Sequence, residues 1–129
     1  GLAAVSTAFD AANILLTQHQ DIKHWLVFGM NDESVLGGVR ALEGRGYTAE
    51  TVIGVGIGGS TGMVDWKQAK PTGFHAAVLI SPKRHGFETA ELMYKWITEG
   101  TEPPKVTFTT GILIRREDHQ KIMKEQGLL

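Results

Sequence analysis

Trp25-Leu26-Val27-Phe28-Gly29-Met30-Asn31-Asp32 is the stretch that decides the fold. Four apolar residues in a row, too short for a helix, suit a strand buried on both faces. Gly29 ends the run, and Asn31 or Asp32 can cap a helix that follows. The same strand-to-turn junction recurs twice. Thr51 to Ile57 leads into Gly58-Gly59-Ser60-Thr61, and Phe74 to Ile80 leads into Ser81-Pro82. In an open parallel α/β sheet, ligands bind in the crevice at the carboxyl ends of the strands. Three such turns can line one wall of a small-molecule site.

Outward from these junctions, helices alternate with the strands. Residues 6–18 carry Phe9, Ala12, Leu15 and Leu16 at helical spacing, with Ser6 or Thr7 as N-cap. Val35, Leu36, Val39 and Leu42 share the face of a second helix, stopped by Gly44-Arg45-Gly46, where a glycine tolerates the left-handed cap. Ser60 or Thr61 caps a short helix that ends before Pro71. Gly86 to Glu99 reads as an amphipathic helix with Phe87, Ala90, Met93, Tyr94 and Ile97 on one side. After Glu102-Pro103-Pro104, a fourth strand is predicted over Val106 to Ile114, and a last helix over Glu117 to Gln126. This alternation predicts an α/β fold with a mostly parallel sheet flanked by helices.

The chain has 129 residues, 42% apolar and 21% charged, with net charge −1 and no cysteine. That suits one domain or part of a larger one. Disulfides and thiolate chemistry are excluded. Acidic and basic residues are interspersed, which argues against a nucleic-acid or anionic-membrane footprint. Arg115-Arg116 reads as a solvated strand end. No apolar run approaches the roughly 18 residues that span a bilayer. The opening Gly1-Leu2, without an initiator Met or a signal peptide, reads as a processed or truncated start.

Candidate chemistry is sparse. Gly54-Val55-Gly56-Ile57-Gly58-Gly59 matches G-x-G-x-x-G, but a dinucleotide site also needs an acidic residue at the end of the next strand. Phe74 to Ile80 contains none, and Gly54 and Gly56 fall inside the strand. Close helix-strand packing is the simpler explanation. No Lys follows the glycines, so a phosphate-binding P-loop is excluded. His19, His24, His75, His85 and His119 form no metal-ligand spacing, and Ser60 and Ser81 lack a nucleophile elbow. The reading is therefore no enzyme, no catalytic residue, no cofactor and no metal. Met30-Asn31-Asp32 stands apart. An Asn amide offers a donor and an acceptor for neighbouring hydroxyls of a polyol, and Met offers a soft apolar surface to a sugar ring. Capping of the next helix by the same residues is equally open, since one can cap while the other binds.

Several blocks resemble L-arabinose-binding proteins, the periplasmic solute-binding components of ABC importers. They are Phe9-Asp10-Ala11-Ala12-Asn13, Lys23-His24-Trp25-Leu26, Gly29-Met30-Asn31-Asp32, Val35-Leu36-Gly37-Gly38-Val39-Arg40, Thr72-Gly73-Phe74, Ser81-Pro82, His85-Gly86, Glu102-Pro103-Pro104-Lys105 and Gly127-Leu128. They keep order and spacing along the whole chain. The resemblance implies a part of a two-lobed protein that closes on a sugar and docks on a membrane permease. It covers the C-terminal part of the family, somewhat under half of the mature protein, and so implies a partial lobe.

On that resemblance, residues 1–80 belong to the second lobe, 81–110 cross to the first, and 111–129 return. Met30 and Asn31 match ligand-contacting positions. Gly58 stands where the family has a ligand-binding Asn, and Thr61 where it has a sugar-bonding Asp. Ser81, Pro82, Thr110 and Gly111 fall at the hinge crossovers. The implied location is the periplasm. With half the partners absent from this chain, weak or undetectable sugar binding is expected. The unpartnered face of residues 86–99 and an open Trp25–Phe28 edge predict a homodimer or a strand or helix swap. The alternative is a sugar-sensing domain of a transcription regulator of the same fold.

Overall fold

The computed structural model describes residues 4–129. Helix α1 (Val5–Gln18) leads to strand β1 (Trp25–Phe28), then α2 (Asp32–Glu43), β2 (Val52–Gly58), α3 (Ser60–Trp66), β3 (Phe74–Leu79), α4 (Pro82–Glu99), β4 (Ile112–Arg115) and α5 (His119–Glu125). The strands lie in the order β1-β2-β3-β4. β1, β2 and β3 are parallel, and β4 runs antiparallel to β3. The sheet is thus mostly parallel with helices packed on it, as the alternating pattern predicts.

The core lies between α2 and the sheet. Val35, Val39 and Leu42 recur on one face of α2 and share one buried cluster with Val52 and Phe74 of the sheet. Gly54 lets α2 approach β2 closely: a Cβ there would sit 2.8 Å from the Val39 side chain. The glycine run therefore serves helix-strand packing. The Trp66 indole donates to the Phe74 carbonyl at 2.8 Å and joins α3 to β3. Arg40 completes the lock between α2 and α3 by bonding Glu43 at 2.5 Å and pairing with the buried Asp65.

Several local expectations are corrected. The first helix starts at Val5, before either hydroxyl residue, with Ala4 as N-cap and no side-chain cap. Gly44 keeps right-handed helical geometry, and the left-handed residue is Gly46 at φ +88°. α4 starts at Pro82, because the Ser81 side chain accepts from the Arg84 amide and proline suits a first helical turn. β1 is not buried on both faces. It pairs only with β2, and Leu26 and Phe28 are exposed. The predicted strand at 106–114 is reduced to Ile112–Arg115. Val106 to Gly111 find no neighbouring strand, and Phe108 is 92% exposed. Alternating apolar residues without a partner cannot satisfy a ladder.

Candidate ligand-binding turns

Because β1, β2 and β3 are parallel, their exit turns gather at one end of the sheet. The first turn follows β1. The Asn31 Oδ1 accepts from the Ser34 amide at 3.0 Å and caps α2. Both readings of this turn are thereby narrowed: Asn31 spends its acceptor on the cap and keeps its NH2 group, while Met30 stays 82% exposed. Asp32, the other cap candidate, turns inward and is buried.

At the second turn, neither Ser60 nor Thr61 caps α3. The N-cap is Gly59 at φ +91°, a left-handed conformation that favours glycine. The acceptor comes instead from Asp32, whose Oδ2 takes the Gly59 amide at 2.8 Å and the Gly62 amide at 3.0 Å. Burial pushes the Asp32 carboxyl above its usual range, against the lowering effect of these amide bonds. Gly58 has φ +122°, so a side chain there would be strained and only its backbone is offered. The Thr61 hydroxyl donates to Glu33 Oε1 at 2.6 Å, which holds the Glu33 carboxyl below its usual range. The Thr61 hydroxyl thus has only its lone pairs left to offer. From sequence, Asp32 is a member of the Met30-Asn31-Asp32 turn and a cap candidate, and Glu33 carries no signal beyond its place after that turn.

At the third turn, Ser81, His85, Thr110 and Ile112 line one small hollow, so the chain leaving β3 lies beside the chain entering β4. Histidines serve local structure: His119 stacks on Trp66 with centroids 5.0 Å apart, and His75 bonds the Ala49 carbonyl at 2.8 Å. Arg116 is more than a solvated strand end, since its guanidinium donates to the Lys70 and Gln68 carbonyls. Among the described residues there is no cluster of three potential metal ligands, and no helix is long and apolar enough to cross a membrane.

A family model for periplasmic binding proteins and the sugar-binding domain of the LacI family matches residues 3–118. The chain belongs to this family. Within it, the chain is 46% identical over 122 residues to the L-arabinose-binding periplasmic protein of Escherichia coli K12, covering 94% of this chain and 37% of that protein. It is 37% identical over 121 residues to an L-arabinose-binding periplasmic protein of an ABC transporter from Azospirillum brasilense, of which it covers 36%. The chain therefore spans little more than a third of these relatives. Among solved structures, a periplasmic ribose ABC transporter protein from Conexibacter woesei superposes with TM-score 0.77 over 96% of this chain and 40% of that one, at 22% identity. A LacI-family transcriptional regulator from Arthrobacter superposes with TM-score 0.70 over 86% and 40%, at 19% identity. At those identities the likeness concerns the fold, here a partial lobe of a periplasmic binding protein. The names of the two sequence relatives describe binding and transport, not catalysis.

Proposed function

We propose that this chain is the C-terminal portion of a periplasmic substrate-binding protein. The whole protein captures a monosaccharide, arabinose or a similar sugar, by hinge closure and delivers it to an ABC importer. The observation that carries this reading is the 46% identity to the E. coli L-arabinose-binding protein, supported by two exit turns clasped at one end of a parallel sheet.

In this reading, residues 1–80 and 111–129 build the second lobe and 81–110 cross to the first. Met30 packs on the sugar ring, the Asn31 NH2 donates to a hydroxyl, Thr61 accepts from one, and Gly58 contributes backbone. Ser81-Pro82 and Thr110-Gly111 are the hinge, in keeping with the hollow that Ser81 and Thr110 share. No bond is made or broken. By itself the chain associates through the exposed face of α4 and the open β1 edge, as a homodimer or by a swap. A sugar-sensing domain of a regulator remains the second reading on fold, and the identities to two transport proteins favour the first.

Calorimetric titration with L-arabinose tests this. The chain alone is expected to bind more weakly than about 1 mM, near 4 kcal/mol of binding energy. The full-length polypeptide is expected to bind far more tightly and to lose that affinity with Asn31→Ala. Absence of pentose or hexose binding by the full-length polypeptide overturns the reading.

A further inference from the structure

Asp32 joins the two ligand turns. It is 2% exposed, and its Oδ2 bonds amides that lie 27 and 30 residues further along the chain. The Thr61 amide faces the same carboxylate. The first turn ends at Asp32 itself, so Met30 and Asn31 are its immediate predecessors. The second turn places Gly58 just before one bonded amide and Thr61 just before the other. Every residue assigned to the sugar grip is therefore within two positions of an atom of this clamp.

The surroundings are built for the carboxylate. A Cβ at Gly56 would lie 2.4 Å from Asp32 Oδ1, and a Cβ at Gly62 would lie 2.4 Å from the Phe74 ring. β2 thus presents Gly56 and Gly58 to Asp32, and α3 presents Gly59, Thr61 and Gly62. The Phe74 ring of β3 closes in beside Gly56 and Gly62. Glu33 is the charged neighbour that acts on it. The acid of α3, Asp65, is paired with Arg40. Oδ1 is buried without a hydrogen-bond partner. A cap needed only for α3 could come from a Ser, Thr or Asn side chain at the N-cap position, where this chain has Gly59. Reaching across from α2 leaves a buried oxygen unpaired, a cost that a merely local cap avoids.

We propose that Asp32 is the positioning residue of the ligand site, its carboxylate fixing the orientation of the Met30-Asn31 turn relative to the Gly58–Thr61 turn. The term ligand site rests on the sugar-binding reading; the clamp itself does not. A neutral side chain keeps at most one weaker set of bonds to the Gly59 and Gly62 amides, and the two turns then move independently of each other.

Nuclear magnetic resonance of the labelled chain without sugar tests this. In the wild type, the Gly59 and Gly62 amide signals are expected to titrate together with the Asp32 carboxyl signal. Residual dipolar couplings of Met30, Asn31, Gly58 and Thr61 should fit the same rigid frame as β2 and β3 at neutral pH. Below the Asp32 midpoint, and in Asp32→Asn at neutral pH, the couplings of the four turn residues should leave that frame while those of β2 and β3 stay in it. Asp32→Glu should restore part of the fit. If the Gly59 and Gly62 amides ignore the Asp32 titration, or the four couplings stay in frame once the charge is removed, the proposal is overturned. Should Asp32→Asn fail to fold, the wild-type titration still decides. No sugar is used, so a failed arabinose titration of the full-length protein would overturn the transport reading and leave the clamp standing.

Discussion

Leu79, the last residue of β3, stands directly opposite Ile112, the first residue of β4. The chain therefore leaves the sheet and returns to it side by side. None of residues 80–111 between them is buried. α4 is an amphipathic helix whose apolar residues Phe87, Tyr94 and Ile97 are all exposed. Most helical stability in proteins comes from packing of such a face, and here the face stays exposed among the described residues.

Hydrogen exchange should separate the two regions. Amides of α4 are expected to exchange far faster than those of β2 and β3, because a helix without tertiary cover opens locally. The sharp alternative comes from concentration dependence. Slow exchange in α4 that speeds up on dilution, with a dimer in light scattering, would mean that a second copy covers the helix. A monomer with fast exchange in α4 would remove the dimer from the proposed function.

Asn31 caps α2 and is proposed to bind sugar, and substitution can separate the two. Asn31→Ala should lose the bond to the Ser34 amide and about 1 kcal/mol of stability in urea unfolding. Asn31→Asp should stay within about 0.5 kcal/mol of the wild type, because Asp caps as well as Asn. It removes the NH2 donor, however, so sugar affinity in the full-length polypeptide should fall with both variants. Affinity retained by Asn31→Asp would restrict Asn31 to capping.

Phe74 is 1% exposed and lies against Trp66 at 5.6 Å between ring centroids. Phe74→Ala should cost about 3–5 kcal/mol through lost burial and the cavity left behind. The chain is then expected to unfold at markedly lower urea. A loss under about 1 kcal/mol would mean that the core does not depend on the Phe74–Trp66 contact between β3 and α3.

The two neighbouring carboxyls should respond to pH in opposite senses. Burial raises Asp32, so the folded state holds its proton more tightly than the unfolded chain does. Its contribution to stability is complete below the unfolded value of about 3.9 and is lost as pH rises through the higher folded value. The Thr61 bond lowers Glu33. Its contribution is present above the unfolded value of about 4.3 and is lost as pH falls through the lower folded value. Urea midpoints from pH 3 to 7 check both signs. The stability of Asp32→Asn relative to wild type should rise as pH increases above about 4. That of Glu33→Gln should rise as pH drops below that region. A pH-independent difference for Asp32→Asn would contradict the buried, ionisable state of this group.

The sequence by itself determined the alternation of helices and strands, the end of the sheet where the turns gather, and the family. These rest on signals carried by neighbouring residues: runs such as Val52–Ile57, the four-residue periodicity of Val35 and Val39, and the capping chemistry offered by Asn31 or Asp32. The blocks that mark the family are likewise contiguous. Tertiary structure decided what each exposed or buried group does next. Val106 to Gly111 carry a strand pattern, but a ladder needs a second strand, and none lies beside them. Trp25–Phe28 reads as a buried strand, yet among the described residues it pairs with β2 alone and leaves Leu26 and Phe28 exposed. Ser60 and Thr61 are good caps by type, and Asp32 takes that place because folding brings its carboxylate to the Gly59 and Gly62 amides from 27 and 30 residues away. Local propensity is written in adjacent residues. Pairing, burial and the charge state of Asp32 depend on groups that only the folded chain brings into contact.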